Sequence, residues 1–178
     1  TDVLEPRMDV QLLLIDNARH MSDVRSELSE ISGLEVREYV SPSGLMVQGT
    51  APALLAVQNQ PAVIAQWDVP LAMFLDDTLL DAMMFEDGIE AIQDQEVRLE
   101  GWWSDQQIDD ITIADSEGNT IQQSLSQVAT LALKDATHLD QGQYRGNLAV
   151  DNLLDIVRQP SVMWLRFEPQ MTIDNDQS

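Results

Sequence analysis

The chain has 178 residues, with 31 acidic side chains against nine basic ones, a formal net charge of −22 and no cysteine. That charge argues against a nucleic-acid partner, whose phosphates it would repel, and the missing thiols exclude a disulfide framework, a thiol nucleophile and a thiolate metal site. No apolar run is long enough to span a bilayer, and Thr1 does not open a signal-like apolar core, so a secreted protein would already have lost its targeting segment.

Thr1–Arg7 reads as a loose lead-in. Val10–Ile15 carries apolar residues on both alternating sides, which predicts an interior strand. Ser22 is placed to cap a helix whose Val24, Leu28 and Ile31 share one face, with Gly33 at its stop. Glu35–Val40 and Leu45–Gln48 read as a hairpin around the turn Ser41–Gly44. A second helix follows, with Thr50 as N-cap, Pro52 in its first turn, Leu54, Leu55 and Val57 as its buried stripe, and Pro61 at its end. Val63–Val69 is the next strand. The order β-α-β-β-α-β is the ferredoxin-like, split-βαβ arrangement, with both helices on one face of a four-stranded antiparallel sheet. The other face must then be covered or remain polar.

Asp76–Gln95 mixes seven acids with Leu79, Leu80, Met83 and Met84. It is expected to be a linker carrying one short helix, capped by Asp77 or Thr78, whose apolar residues pack between domains. Val97–Trp102 opens a second series of elements. Asp105–Ile113, behind Ser104, is a candidate helix, while Ile111–Ile121 also reads as a hairpin turning at Asp115–Asn119. Val128–Leu133 and Tyr144–Ala149 are expected strands, and the length between Gly118 and Asp151 implies an insertion or an elongated hairpin. Asp151 then caps a helix at Leu153–Val157, Pro160 breaks it, and Val162–Phe167 is the last strand.

Leu54–Pro70 and Leu153–Pro169 repeat one another. Laid together without a gap they share six of 17 residues: two leucines, Gln-Pro, a valine and the closing proline. Such self-similarity predicts a tandem of related units. The fold class is therefore α+β, with two tandem ferredoxin-like domains, the second carrying the insertion. Residues 1–77 form the first, 78–95 the acidic linker, and 96–178 the second with its C-terminal tail.

Catalytic equipment is thin. His20 and His138, each expected in a loop or helix lead-in, have no recognisable nucleophile motif beside them, and no phosphate-binding glycine loop or cofactor motif is present. Asp115–Asn119 offers oxygens around a glycine, but lacks the EF-hand spacing, so a hairpin turn accounts for it and no metal is assigned. Trp102-Trp103, the nearest thing to a binding platform, is expected to pack against helices or the neighbouring domain.

The strand-turn-strand Val36–Val47, the Leu-Leu helix, the following Pro and Val, and the strand closing on proline resemble the N-terminal prodomains of subtilisin-family serine peptidases. The resemblance covers most of residues 9–75 and 150–178. The peptidase signatures Asp-Thr-Gly, His-Gly-Thr-His and Gly-Thr-Ser are absent, so it implies the non-catalytic prodomain region alone, not an enzyme. It further implies a secreted inhibitor and folding assistant, whose partner is a subtilisin-like peptidase domain following in the same precursor. The open sheet face of the second domain would dock on the peptidase, and the tail would lie in the substrate cleft as an added strand. The residues so implicated are Glu168, as a helix-capping acid, and Gln170, Met171, Thr172, Ile173, Asp174, Asn175, Asp176, Gln177 and Ser178. Two other readings are a tandem small-molecule sensor, suggested by Ser41–Gly44, and an extracellular structural or adhesion module, suggested by the 111–121 hairpin and Asp140–Tyr144.

Overall fold

The computed structural model describes residues 2–85, 90, 92–102, 113–114, 120–121, 124–139, 142–150 and 153–168. It is an α+β protein with two four-stranded antiparallel sheets.

The first sheet comprises β1 (Pro6–Ile15), β2 (Leu34–Val40), β3 (Gly44–Gly49) and β4 (Val63–Pro70), in the order β2-β3-β1-β4. Helix α1 (Met21–Ser29) joins β1 to β2, and α2 (Ala51–Val57) joins β3 to β4. Strand β1 is interior, as its two apolar sides require. Leu13, Ile15, Leu45 and Val47 line one face and form a buried cluster with Val24 and Leu28 of α1 and Ala53, Leu54 and Val57 of α2, so both helices cover that face. Thr50 caps α2 by accepting from Ala53 N at 3.3 Å, and Pro52 sits in its first turn. Gly33 has φ +81° after α1, where an added Cβ would also meet Thr50 Oγ1 at 2.9 Å.

Three expectations change here. Leu55, expected in the buried stripe of α2, is 64% exposed, and Ala53 takes its place beside Leu54 and Val57. His20, not Ser22, is the N-cap of α1, and its side chain makes no capping hydrogen bond. The lead-in is not loose either, because Asp2–Leu4 forms a 3₁₀ turn and β1 starts at Pro6. The ladder to β4 resumes past an irregularity between Arg7 and Gln11, pairing Arg7 with Val69 and Pro6 with Pro70. A bulge of this kind hides a strand from pattern reading, because it breaks the alternation.

After a 3₁₀ turn at Leu71–Phe74, Leu75 makes a parallel bridge to Leu165, and α3 (Asp77–Met84) follows. The cap is Asp76, one residue before the expected ones. It accepts from Leu79 N at 2.8 Å and from Phe167 N at 2.5 Å, and so ties the helix to the last strand. Leu79 is fully buried, with Leu80 and Met83 packed beside it, whereas Met84 is exposed.

The second sheet comprises β5 (Glu96–Gly101), β8 (Leu133–Leu139), β9 (Gln143–Leu148) and β10 (Val162–Phe167), in the order β10-β5-β9-β8. Helix α4 (Leu125–Ala132) precedes β8, and α5 (Leu153–Val157) precedes β10. Counted from β5, this is the strand order of the first sheet. The two repeated stretches thus occupy matching places, with β4 and β10 starting at the equivalent valines Val63 and Val162.

The expected strand Val128–Leu133 is wrong, because those residues lie in α4 up to Ala132. Ser124 and Gln127 form a reciprocal capping box, and Leu125, Val128, Ala129 and Ala132 bury one helical face at i, i+3, i+4 and i+7. The extra length also moves. Residues 102–124, 23 positions, separate β5 from α4, against the five (16–20) separating β1 from α1, whereas β8 and β9 are joined by only three (140–142). The 111–121 hairpin survives as β6 (Ile113–Ala114) paired with β7 (Thr120–Ile121), inside that insertion. The candidate helix at 105–113 falls almost wholly outside the described residues, as do Asp151, Trp103 and the turn Asp115–Asn119.

Val97, Leu99 and Leu165 bury one face of the second sheet against α4 and α5. The same core takes in Val10, Val69, Leu71, Phe74 and Leu79, with Leu12 and Met46 packed on it. Val10, Leu12 and Met46 belong to the helix-free face of the first sheet, since Leu12 pairs with Met46 and both alternate with the helix-facing residues. The second unit therefore covers the open face of the first. No helix among the described residues is long and apolar enough to cross a membrane.

Candidate functional site

Among the described residues, each sheet has one face turned away from the helices that join its own strands, and the chain treats the two faces differently. On the first, a polar cluster is sealed against the turn between α5 and β10. Arg7 is fully buried, with its Nε 2.9 Å from Asp9 Oδ1 and its NH1 donating to the carbonyl of Val162. Gln48 Nε2 donates to Asp9 Oδ2 and to the Pro160 carbonyl, each at 2.7 Å, and Gln48 Oε1 accepts from Arg37 Nε at 2.9 Å.

Trp102 completes this junction. Its Nε1 donates to the Pro160 carbonyl at 2.8 Å, and its ring lies 5.8 Å from the Arg7 guanidinium and 5.3 Å from that of Arg37. Phe74 stacks under Arg7 at 4.4 Å. Burial pulls the Arg37 pKa below its ordinary value, with Glu35 and Asp9 opposing the shift. At the rim, Arg158 reaches Glu5 at 2.5 Å. The expectation that Trp102 packs against the neighbouring unit is met, and the tryptophan serves as a joint.

The face of the second sheet turned away from α4 and α5 is built the opposite way. Register sets Arg166 opposite Arg98 and Arg98 opposite Arg145, so three arginines stand in one row across β10, β5 and β9. Thr137 on β8 continues the row, and Lys134 lies on the same face, opposite Asn147. Four of the nine basic residues of a chain with net charge −22 thus share one sheet face. Glu96, Glu100 and Trp164 alternate with them.

Like charges placed directly opposite across strands oppose pairing, and carboxylates relieve only part of this row. Glu168 takes Arg98 in a two-legged pair, with NH2 to Oε1 at 3.0 Å and Nε to Oε2 at 2.8 Å, the second leg off the angle a hydrogen bond needs. Glu100 lies 3.4 Å from Arg166 NH2, whose Nε is out of water and without a hydrogen-bond partner.

Of the residues implicated from sequence, Glu168 lies on this face, its amide still in the ladder to Glu96 O at 3.0 Å. Its carboxylate is engaged by Arg98 and not displayed to solvent. Gln170 to Ser178 lie outside the described residues. Among the described residues no three His, Asp or Glu side chains gather as a metal site. His138 sits on strand β8, not in a loop, with its ring 4.9 Å from that of Tyr144. His20 stands at the start of α1.

The arginine row escapes sequence reading. Arg98, Arg145 and Arg166 each fall within a predicted strand, which is the one available signal, but only the register brings them abreast. No family model, no curated protein and no solved structure matches the chain.

Proposed function

We propose that this chain is the non-catalytic prodomain region of a subtilisin-like serine peptidase, acting outside the cell as its inhibitor and folding assistant. In this reading it comprises two tandem ferredoxin-like domains, the second bearing an insertion between its first strand and first helix. The observation that carries the reading is the asymmetry of the two open faces. The first sheet spends its face on the second unit, while the second keeps a charged face that no helix among the described residues covers, next to the strand that leads into the tail.

A sheet face of that kind docks on surface helices of the peptidase, and the tail after β10 enters the substrate cleft as an extra strand. Docking would also template the peptidase's long-range pairings, which form slowly unaided. The first unit then acts as a support, holding the Pro160–Val162 turn from which β10 starts through Arg7 and Gln48. An adhesion module of the sandwich kind is disfavoured, since each sheet here packs against helices.

The test is inhibition of a subtilisin-type peptidase domain by the full chain and by a chain ending at Pro169. The full chain should inhibit, and loss of Gln170–Ser178 should weaken inhibition at least tenfold. Equal inhibition by both would refute the tail mechanism, and no inhibition by either would refute the reading.

A further inference from the structure

We infer that the arginine row of the second sheet is a docking surface for a partner helix bearing carboxylates at successive turns. The inference deepens the prodomain reading and rests on it only for the identity of the partner as a protein.

Several observations converge. Arg166, Arg98 and Arg145 occupy neighbouring strands in direct register, and neighbouring strands lie about 4.8 Å apart. The row therefore spans about 10 Å in steps of about 5 Å. Side chains at i and i+4 on a helix are spaced by about 5–6 Å, so a helix crossing the strands with acids at i, i+4 and i+7 meets each guanidinium in turn. Arginine suits such a contact because its planar fork takes a carboxylate through two donors.

The supply of internal carboxylates runs out along the row. Arg98 has both oxygens of Glu168, Arg166 has one longer contact to Glu100, and among the described residues nothing pairs with Arg145. Lys134 beside it is exposed and held by Asp94 at 3.1 Å. A row selected for stability alone would not set three like charges abreast.

Other occupants fit less well. Glu96, Glu100 and Glu168 leave the face too weakly positive for a polyphosphate backbone, and the −22 of the whole chain would repel one. A second copy carries that same −22 and would bind head to tail, a contact that propagates unless its rotation closes. A partner of lower charge with a local acidic helix face meets neither objection.

The probe is a stapled helical peptide with glutamates at i, i+4, i+7 and i+11, compared with one whose glutamates are scattered around the helix. Fluorescence anisotropy against the full chain should show binding to the first peptide, weakening as salt rises. Arg145→Glu should lower affinity about tenfold, given the modest worth of each exposed pair, and Arg145→Lys, which keeps the charge but not the fork, should restore part of it. Melting curves of both variants report whether they fold.

Equal affinity for the two peptides, or binding unchanged in folded Arg145→Glu, overturns the inference. So does a concentration-dependent dimer that Arg145→Glu abolishes, which would assign the face to a second copy. Peptidase inhibition separates this from the broader reading. Inhibition that is intact in Arg145→Glu leaves the prodomain reading standing without the arginine row, whereas peptide binding without inhibition leaves the row without the peptidase.

Discussion

Arg7→Met should lower stability by about 3–5 kcal/mol, because it breaks a buried ion pair by removing one partner. The Arg7 and Asp9 side chains are 0% and 1% exposed, so the stranded carboxylate cannot recover its charge partner from solvent. The Val162 carbonyl loses a donor at the same stroke, and Phe74 and Trp102 lose the cation between them. For a chain of this size a loss of that order corresponds to a melting midpoint lower by roughly 10 °C. The double variant Arg7→Met with Asp9→Leu should regain more than half of it, because an apolar pair avoids the desolvation that the ion pair had to offset. Thermal melts of the three proteins check this. A single variant within about 1 kcal/mol of the parent would mean that Arg7 is not the sealed joint between the two units.

Leu165→Ala should cost about 3–5 kcal/mol, the range for emptying a fully buried leucine site that cannot collapse. Leu165 pairs with Leu99 in the middle of the second core, and its backbone carbonyl accepts Asp76 N at 3.0 Å, so β5 holds it on one side and the Leu75–Asp76 backbone on the other. The repeat supplies an internal control. Gln66 occupies the equivalent place in β4, opposite Leu13, and its Nε2 donates to the Leu54 carbonyl at 3.1 Å and to Gln11 Oε1. Gln66→Ala should cost only about 1–2 kcal/mol, the worth of two such hydrogen bonds. Urea titrations of the two variants give the comparison. Equal losses at the two sites would contradict a second core centred on Leu165.

The contrast also shows where sequence reading succeeds. The repeated Leu-Leu, Gln-Pro and closing Pro reveal a doubled architecture, because most of these residues do local work: Leu54, Leu153 and Leu154 bury a helix face, Leu55 alone stays exposed, and the proline follows the end of the helix. The first unit is legible almost strand by strand, since its connections are short and Thr50, Pro52 and Gly33 mark the helix ends. The second is not, because 23 residues intervene before its first helix and the Val-Ala-Thr-Leu-Ala-Leu run beginning at Val128 reads equally well as a strand. Ser124 and Gln127 at capping-box spacing held the signal that would have decided for a helix.

The candidate site was less legible than the fold. Nothing local distinguishes the buried Arg7 from a surface arginine. Its position follows from a β1 irregularity and from residues more than 150 positions away. The arginine row depends on register, and register here depends on shifts between Val162 and Trp164 and between Lys134 and Thr137. A slip of one residue sends every side chain of a strand to the other face, so composition and pattern cannot supply the row.

The most direct test of the division between the two faces is arginine-selective labelling of the full chain, with and without a subtilisin-type peptidase domain, read by mass spectrometry. The peptidase should shield Arg145 and Arg166 on the second sheet and leave Arg19 and Arg25 beside the first as reactive as before. Shielding of Arg19 and Arg25 with Arg145 and Arg166 still reactive would contradict that division.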